Sequence, residues 1–297
     1  MYNPTLQYVI IGGTIIHHLV VDDIDFSYSD KDMTLKGVTL DIRNPQLISI
    51  IGPNGVGKST LIHCMNRILE PTRGTVFINE ENIEDIKIRE LAKKIGYVPY
   101  SSNDTFPLTV VDTILMGRHP HSNWKGNLHE DMKVVREVLD MMDIRDLAMR
   151  PFNELSAGQH QRVMLARGLA QEPEILLLDE PTANLDIRHQ MEVIRLLKKL
   201  SVSKRIVVIM ISHDLNLAAQ YSDNIIMMAE GTVYAVGRPE DVITCENIKH
   251  VYNVDAKLVD HNGRPHMILL DNDFTEDDSK TLYGSYVLGT INDRGEE

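Results

Sequence analysis

The chain is poor in the residues that staple or anchor small proteins. Only two cysteines, Cys64 and Cys245, occur in 297 residues, and they form no C-x-x-C pair. That excludes a disulfide framework and a zinc finger and fits a reducing compartment, with Cys64 an inert thiol on a helix. No stretch approaches the roughly 18 to 20 consecutive apolar residues that cross a bilayer. No lysine or arginine precedes Lys31, so the chain is expected to be neither secreted nor membrane-spanning by itself. Positive charge is also scarce: 30 Lys and Arg stand against 43 Asp and Glu, a formal net charge of −13. Binding nucleic acid needs clustered cations against the phosphate backbone, so no nucleic-acid partner is expected.

What is present is a globular composition, 43% hydrophobic and 25% charged, without a solenoid-type repeat. One large α/β domain, or one plus a lobe, fits that length. Gly52 through Ser59, within Ile51-Gly-Pro-Asn-Gly-Val-Gly-Lys-Ser-Thr60, meet every defined position of the phosphate loop G-x-x-x-x-G-K-[ST]. Leu47–Ile51 reads as a short buried strand before it and Ser59–Arg67 as a helix after it, which is the context the motif needs. The glycines let the backbone curl so that its N–H groups face an anion at the helix N-terminus. Gly52, Pro53, Asn54, Gly55, Val56, Gly57, Lys58, Ser59 and Thr60 are therefore the expected cradle for a nucleoside triphosphate. Within it Lys58 reaches the β- and γ-phosphates and the Ser59 hydroxyl ligates Mg²⁺.

The rest of the chain alternates apolar runs with helical spacing. Leu19–Tyr28 and Thr39–Ile42 read as antiparallel strands leading to the phosphate loop, and Gly74–Asn79 as another strand. A charged helix around Ile88–Lys94 precedes Ile95–Pro99, which returns to the core sheet. From 109 to 152 the character turns helical, with helices expected over Val110–Gly117, Glu130–Met142 and Ile144–Met149; an α-helical lobe inserted in the core is the simple reading. Ile175–Leu178 and Ile206–Ile211 resume as strands about the helix Ile187–Leu200, which implies a mainly parallel sheet. The expected organisation is an N-terminal extension (1–20), an α/β domain (21–270) and a tail (271–297). That tail holds eight acidic and two basic residues and reads as solvated.

Ile175-Leu-Leu-Leu-Asp179-Glu180-Pro181 ends an apolar strand in two adjacent carboxylates. Beside a phosphate loop, Asp179 is expected to hold Mg²⁺ and Glu180 to orient or deprotonate the attacking water. Between loop and carboxylates, Leu155-Ser156-Ala157-Gly158-Gln159 opens a helix as a capped turn. At that point the sequence resembles the ATP-binding-cassette (ABC) ATPases, whose signature segment this matches. The resemblance extends to a D-loop, Ala183-Asn-Leu-Asp186, and a switch histidine, His213 in Ile211-Ser-His-Asp214, and covers about residues 20 to 270.

The resemblance implies a phosphate-loop NTPase core with a mainly parallel sheet, an N-terminal antiparallel β subdomain and an inserted helical lobe. It also implies a head-to-tail dimer. ATP is sandwiched between the phosphate loop of one copy and Ser156, Ala157, Gly158 and Gln159 of the other, and Asp186 communicates across the interface. His213 contacts the γ-phosphate and Tyr28 stacks on adenine; the bland alternative for Tyr28 is a core side chain beside Ile24 and Phe26. Two residues depart from the family pattern. Ala157 stands where a second glycine is usual, and Tyr100 stands where a glutamine contacts Mg²⁺ or water and senses the permease; a water or Ser101 is the expected substitute. His17 with His18 and His119 with His121 lack partners at metal-ligand spacing and read as solvated loop histidines.

Three function classes compete. A phosphate-loop GTPase or kinase is disfavoured by the absence of N-K-x-D and by Leu155–Gln159. A soluble cassette acting on DNA or ribosomes needs a tandem cassette, a long coiled coil or a basic face, and none is present. The ATPase subunit of a transporter remains, at the cytoplasmic face of the cell membrane, with a separate permease and an external solute-binding protein as partners. Phe106–Val110 with Met116–His119, Leu185–Gln190, His213–Ala219, Gly237–Ile243 and Val251–Val254 resemble the iron–chelate, haem and cobalamin importers. Zinc and manganese importers share the first of these clues.

Overall fold

The computed structural model describes residues 18–29, 32–100, 108–121 and 128–270. The chain enters through two twelve-residue strands, β1 (His18–Ser29) and β2 (Asp32–Arg43), paired antiparallel. Their inward positions, among them Leu19, Val21, Leu35 and Leu40, are buried, and irregularities after Val21 bend the pair over the core. β3 (Leu47–Ile51) runs fully buried to the phosphate loop and α1 (Lys58–Met65) leaves it. β4 (Arg73–Ile78) and the short β5 (Glu81–Asn82) complete an antiparallel sheet in order β2-β1-β4-β5. α2 (Ile88–Lys94), β6 (Ile95–Val98), α3 (Val110–Leu115), α4 (Leu128–Met141) and α5 (Ala157–Leu169) follow. β7 (Ile175–Leu178), α6 (Ile187–Ser203), β8 (Val207–Ile211), α7 (Leu215–Tyr221), β9 (Asn224–Ala229) and β10 (Thr232–Gly237) complete the main sheet and its helices. Two short helices, α8 (Pro239–Val242) and α9 (Cys245–Tyr252), and a hairpin of β11 (Asp255–His261) and β12 (Arg264–Leu270) end the described chain.

The main sheet has the order β10-β9-β3-β8-β7-β6. Every pair from β9 to β6 is parallel, and only the edge strand β10 is antiparallel. Both faces are covered, which is why β7 and β8 are unbroken apolar runs rather than alternating ones and β3 is broken only by Ser49, whose buried hydroxyl lies 2.7 Å from Ser222 Oγ. Along β7, Ile175 and Leu177 pack with Leu61 and Ile62 of α1, while Leu176 and Leu178 pack with Val163 and Leu165 of α5. The parallel pairing puts the carboxyl ends of β3, β8, β7 and β6 on one edge, where ligands of open α/β sheets bind.

The helices α3 to α5 lie over the second face, with Val135, Val138, Leu139, Met142 and Phe152 in one buried cluster. Arg118 joins them to the core: it is 6% exposed, its Nε donates to Asp131 at 3.0 Å, and its Nη1 donates to the Ala170 carbonyl at 2.6 Å and to Glu172 at 2.7 Å. Asp131 is itself 8% exposed. Arg118→Ala strands that carboxylate, and chemical denaturation should show a loss of about 3–5 kcal/mol; a loss below about 1 kcal/mol would mean that water replaces the pair.

Several expectations change. The helix expected over Ile144–Met149 is a single 3₁₀ turn, Arg145–Leu147, because Asp143 takes the left-handed φ of 54° and one turn suffices to bury Ile144 and Leu147. β1 starts at His18, inside the stretch read as an extension, and Leu19 and Val20 are buried. His18 is therefore a strand residue, with Nε2 2.9 Å from Asp41 Oδ1, and not a solvated loop histidine. His121 Nε2 lies 2.8 Å from the Gln171 carbonyl oxygen. The hairpin β11–β12 had no counterpart in the sequence reading. The first 17 residues of the extension, His17 among them, Phe106 and the acidic tail fall outside the described residues.

Candidate active site

The phosphate loop needs glycine for steric reasons that the structure makes explicit. Gly52 has φ 149°, and a Cβ there would sit 2.4 Å from the Met228 carbonyl oxygen; at Gly57, φ 97°, it would sit 2.9 Å from the Thr34 oxygen. Asn54 and Gly55 form the exposed tip. Gly57 is the N-cap of α1 and supplies no side-chain cap, so the first N–H groups of the helix face outward for an anion. Lys58 is 6% exposed, and its ammonium donates to the Gly52 and Pro53 carbonyls, both at 2.8 Å. Burial lowers its pKa, and the carboxylates of Glu180 and Asp179 oppose that shift.

Ser59 Oγ donates to Asp179 Oδ1 at 3.1 Å. Asp179 is 8% exposed, and burial raises its pKa against the hydrogen bond from Ser59. A hydroxyl and a desolvated carboxylate side by side are a hard-oxygen set that fits Mg²⁺. A carboxyl whose folded pKa is raised is least costly while protonated, and the cost grows as pH rises through that pKa. Asp179→Asn is therefore expected to raise the unfolding temperature of the nucleotide-free protein at neutral pH, with the gain shrinking in acid. Thermal melts at two pH values check this, and a fall at neutral pH would contradict it.

The adjacent carboxylate looks elsewhere. Glu180 takes a left-handed φ of 50°, uncommon for a side chain of this size, and its Oε1 lies 2.5 Å from His213 Nε2. Sequence reading named these two residues separately, and the fold brings them together. Tyr28 is 66% exposed, so it is not the core tyrosine of the alternative reading. Its ring stands edge-on to Phe26, and its hydroxyl is 3.2 Å from Thr60 Oγ1, directly beside the loop.

Ser156, Ala157, Gly158 and Gln159 group with a different set. Ser156 Oγ accepts from the Gln159 N–H at 3.4 Å and Gln159 Oε1 accepts from the Ser156 N–H at 3.1 Å, a reciprocal cap on α5. Ala157 is exposed. Asp186 caps α6 and accepts from the His189 N–H at 2.9 Å, which lowers its pKa. Tyr100 does not point inward as a ligand: it is 49% exposed, and its hydroxyl accepts from Asn184 Nδ2 at 3.1 Å. Ser101 lies outside the described residues.

Two neighbours were not anticipated. His63 Nε2 and Tyr97 Oη are 2.9 Å apart, one helical turn beyond Ser59, and burial followed by the Asp179 charge pushes the Tyr97 phenol up to about 12. The Tyr252 oxygen, at the end of α9, accepts from the Gly52 N–H, while burial raises its pKa. The signal for Tyr252 was present in Val251–Val254, which resemblance had marked as a subfamily feature without a role. Cys64 is buried with its pKa pushed up to about 12, which fits an inert thiol.

The ABC transporter family profile matches residues 35–183 of this chain, from β2 through the carboxylate pair. The chain belongs to the ABC transporter ATPase family. It accordingly binds ATP and is an ATPase. An uncharacterised ABC transporter ATP-binding protein of Methanocaldococcus jannaschii is 44% identical over 247 residues, 83% of this chain and 96% of that protein. The petrobactin import ATP-binding protein FpuC of Bacillus anthracis is 34% identical, covering 82% of this chain and 90% of its own. Among solved structures, an ABC transporter described as of metal-chelate type, in an inward-facing conformation, aligns with a TM-score of 0.74 at 26% identity, over 86% of this chain and 98% of the other. A dimeric bacterial ABC transporter cassette aligns with a TM-score of 0.65 at 31% identity, over 74% and 98%. Among the described residues no helix is long and apolar enough to cross a membrane.

Proposed function

We propose that this ABC ATPase is the energising subunit of an importer for an iron chelate, haem, cobalamin or a similar metal-containing substrate. It acts at the cytoplasmic face of the cell membrane, beneath a separate permease served by an external solute-binding protein. The observation that carries the hydrolytic reading is the Glu180–His213 pair, set beside Lys58 at the carboxyl edge of the sheet. Similarity to a petrobactin import protein over nine-tenths of its length supports the substrate class.

The proposed reaction uses the residues as follows. Amides of Gly52–Thr60 cradle the phosphates of ATP, Tyr28 stacks on the adenine, and Lys58 exchanges the Gly52 and Pro53 carbonyls for the β- and γ-phosphates. Ser59 and Asp179 hold Mg²⁺, which when bound neutralises charge on the phosphate oxygens. Glu180 orients and deprotonates the attacking water while His213 steadies its carboxylate and contacts the γ-phosphate. Ser156, Ala157, Gly158 and Gln159 present the N-terminus of α5 to the ATP of a second copy, and Asp186 reports across that interface. The existence of a dimeric cassette of the same fold supports the head-to-tail pair. In this arrangement Tyr100 acts through Asn184 rather than as a metal ligand. Tyr100→Gln is expected to change turnover by no more than roughly tenfold, the worth of one neutral hydrogen bond; a large acceleration would mean that the loop is not competent as it stands.

A groove of about 460 Å³ between α1, α2 and α5 is lined by Ile68, Ile88, Leu91, Tyr97, Met116 and Gly117. Ile68, Ile88 and Met116 are each more than half exposed, as a surface for a permease helix requires. Ile88→Asp is expected to abolish transport while leaving ATPase activity of the isolated subunit within about threefold, since surface changes rarely cost more than ±0.5 kcal/mol. Uptake in membrane vesicles against turnover in solution separates the two. The substrate class is tested by deleting the gene in its host: growth on a ferric chelate as iron source, or on cobalamin, should fail. A defect confined to zinc or manganese limitation would move the assignment to that importer type.

A further inference from the structure

The signature turn and the D-loop belong to different helices, α5 and α6, yet one side chain touches both. His189 Nδ1 donates to Asp186 Oδ1 at 2.8 Å, so that nitrogen carries a proton in this contact, and the His189 N–H donates to the same oxygen at 2.9 Å. The other edge of the ring rests on Gly158. A Cβ built there would lie 2.7 Å from His189 Cδ2 and 3.2 Å from Cγ and Nε2, and no left-handed φ is involved. A side chain at 158 would thus meet a neighbour in the same chain, before any ligand is considered, and the His189 ring could keep its bond to Asp186 only if α5 moved. One turn further along both helices, Arg162 Nη2 donates to Glu192 Oε2 at 2.7 Å, while Arg188 holds the other oxygen at 3.1 Å. Residues of both rungs, Gly158, Arg162, His189 and Glu192, line a cavity of about 270 Å³ together with Asp143 and Asp146 from the turn before α5. The helix starts are joined by side chains across a gap.

We infer that His189 is a positioning residue that locks Ser156–Gln159 to Asp186, so that the two segments facing the second copy move as one body. The inference rests on the head-to-tail reading proposed above. A strut of this kind acts on closure of the dimer and leaves the chain's own phosphate loop unaffected. Gly158→Ala drives a methyl into the imidazole, so either the ring swings off Asp186 or α5 tilts away from α6, and shortening residue 189 relieves the clash.

The test uses the full chain with Glu180→Gln, so that ATP is bound and not consumed, with dimerisation followed by sedimentation and ATP affinity by nucleotide fluorescence. Adding Gly158→Ala is expected to weaken ATP-dependent dimerisation roughly tenfold or more. Adding His189→Ser to that variant removes the clash and keeps a hydroxyl donor for Asp186 but gives up the ring's contact with residue 158, so it is expected to recover only part of the loss, with ATP affinity of the monomer unchanged throughout. In the Gly158 background, His189→Asn, which keeps a donor for Asp186, should dimerise better than His189→Ala. If Gly158→Ala stays equally impaired with His189→Ser, the glycine serves the ligand and the strut is refuted. If His189→Asn and His189→Ala behave alike, Asp186 is not held through this residue and the inference also fails. If the Glu180→Gln parent does not dimerise with ATP, the sandwich reading itself falls and takes the strut with it.

Discussion

Glu180→Gln is expected to lower ATP turnover by about 10²–10⁴-fold, the usual worth of a positioned general base, with ATP affinity little changed. Glutamine keeps the shape and can still contact His213, but it cannot accept the proton of water. The position supports this role. Glu180 follows β7 in an uncommon left-handed conformation, which points its carboxylate to His213 at 2.5 Å and away from Ser59. Its neighbour Asp179 points the other way, to Ser59 at 3.1 Å. Two adjacent carboxylates in different surroundings can hold different tasks, and the pKa of Asp179, raised by burial, marks it as the desolvated one. Asp179→Asn and Glu180→Gln should therefore separate in single-turnover assays, the first abolishing the Mg²⁺ dependence and the second leaving Mg²⁺–ATP binding intact. Equal loss of Mg²⁺–ATP binding in both would contradict the division of labour.

Lys58→Ala is expected to remove ATP binding by about 2–5 kcal/mol, roughly thirty- to several-thousand-fold in Kd, the cost of truncating one partner of a desolvated charge contact. The ammonium is buried, and its present partners are two backbone carbonyls of its own loop. It is held beside the phosphate position and can exchange neutral acceptors for anionic ones without a large movement. Isothermal titration at fixed ionic strength measures the loss. An affinity within threefold of the parent would mean that the amides of Gly55–Thr60 suffice.

Much of this arrangement was legible because it rests on short-range chemistry. The phosphate loop, its strand and its helix are consecutive, and Leu47–Ile51 is apolar at every position but Ser49, the pattern of a doubly covered strand. What escaped the sequence is contact between distant segments. Glu180 and His213 are 33 positions apart, Tyr100 and Asn184 are 84 apart, and nothing local announces either bond. Gly158 shows a subtler limit: its motif suggested closeness to phosphate, whereas its crowding comes from His189. The hairpin β11–β12 was missed although its signal was there. Asn262-Gly263 is a two-residue turn with φ of 55° and 75°, the type I′ pattern, joining strands whose register closes at His261 and Arg264.

The central claim is that one chain's phosphate loop and another chain's signature turn form a single site, and mixing two defective variants tests it most directly. Lys58→Ala and Ser156→Arg homodimers should each be inactive. In a mixed dimer one composite site carries both lesions and the other carries neither, so an equimolar mixture should regain turnover well above either parent. A mixture no more active than its components would place the whole site within one chain and contradict the account.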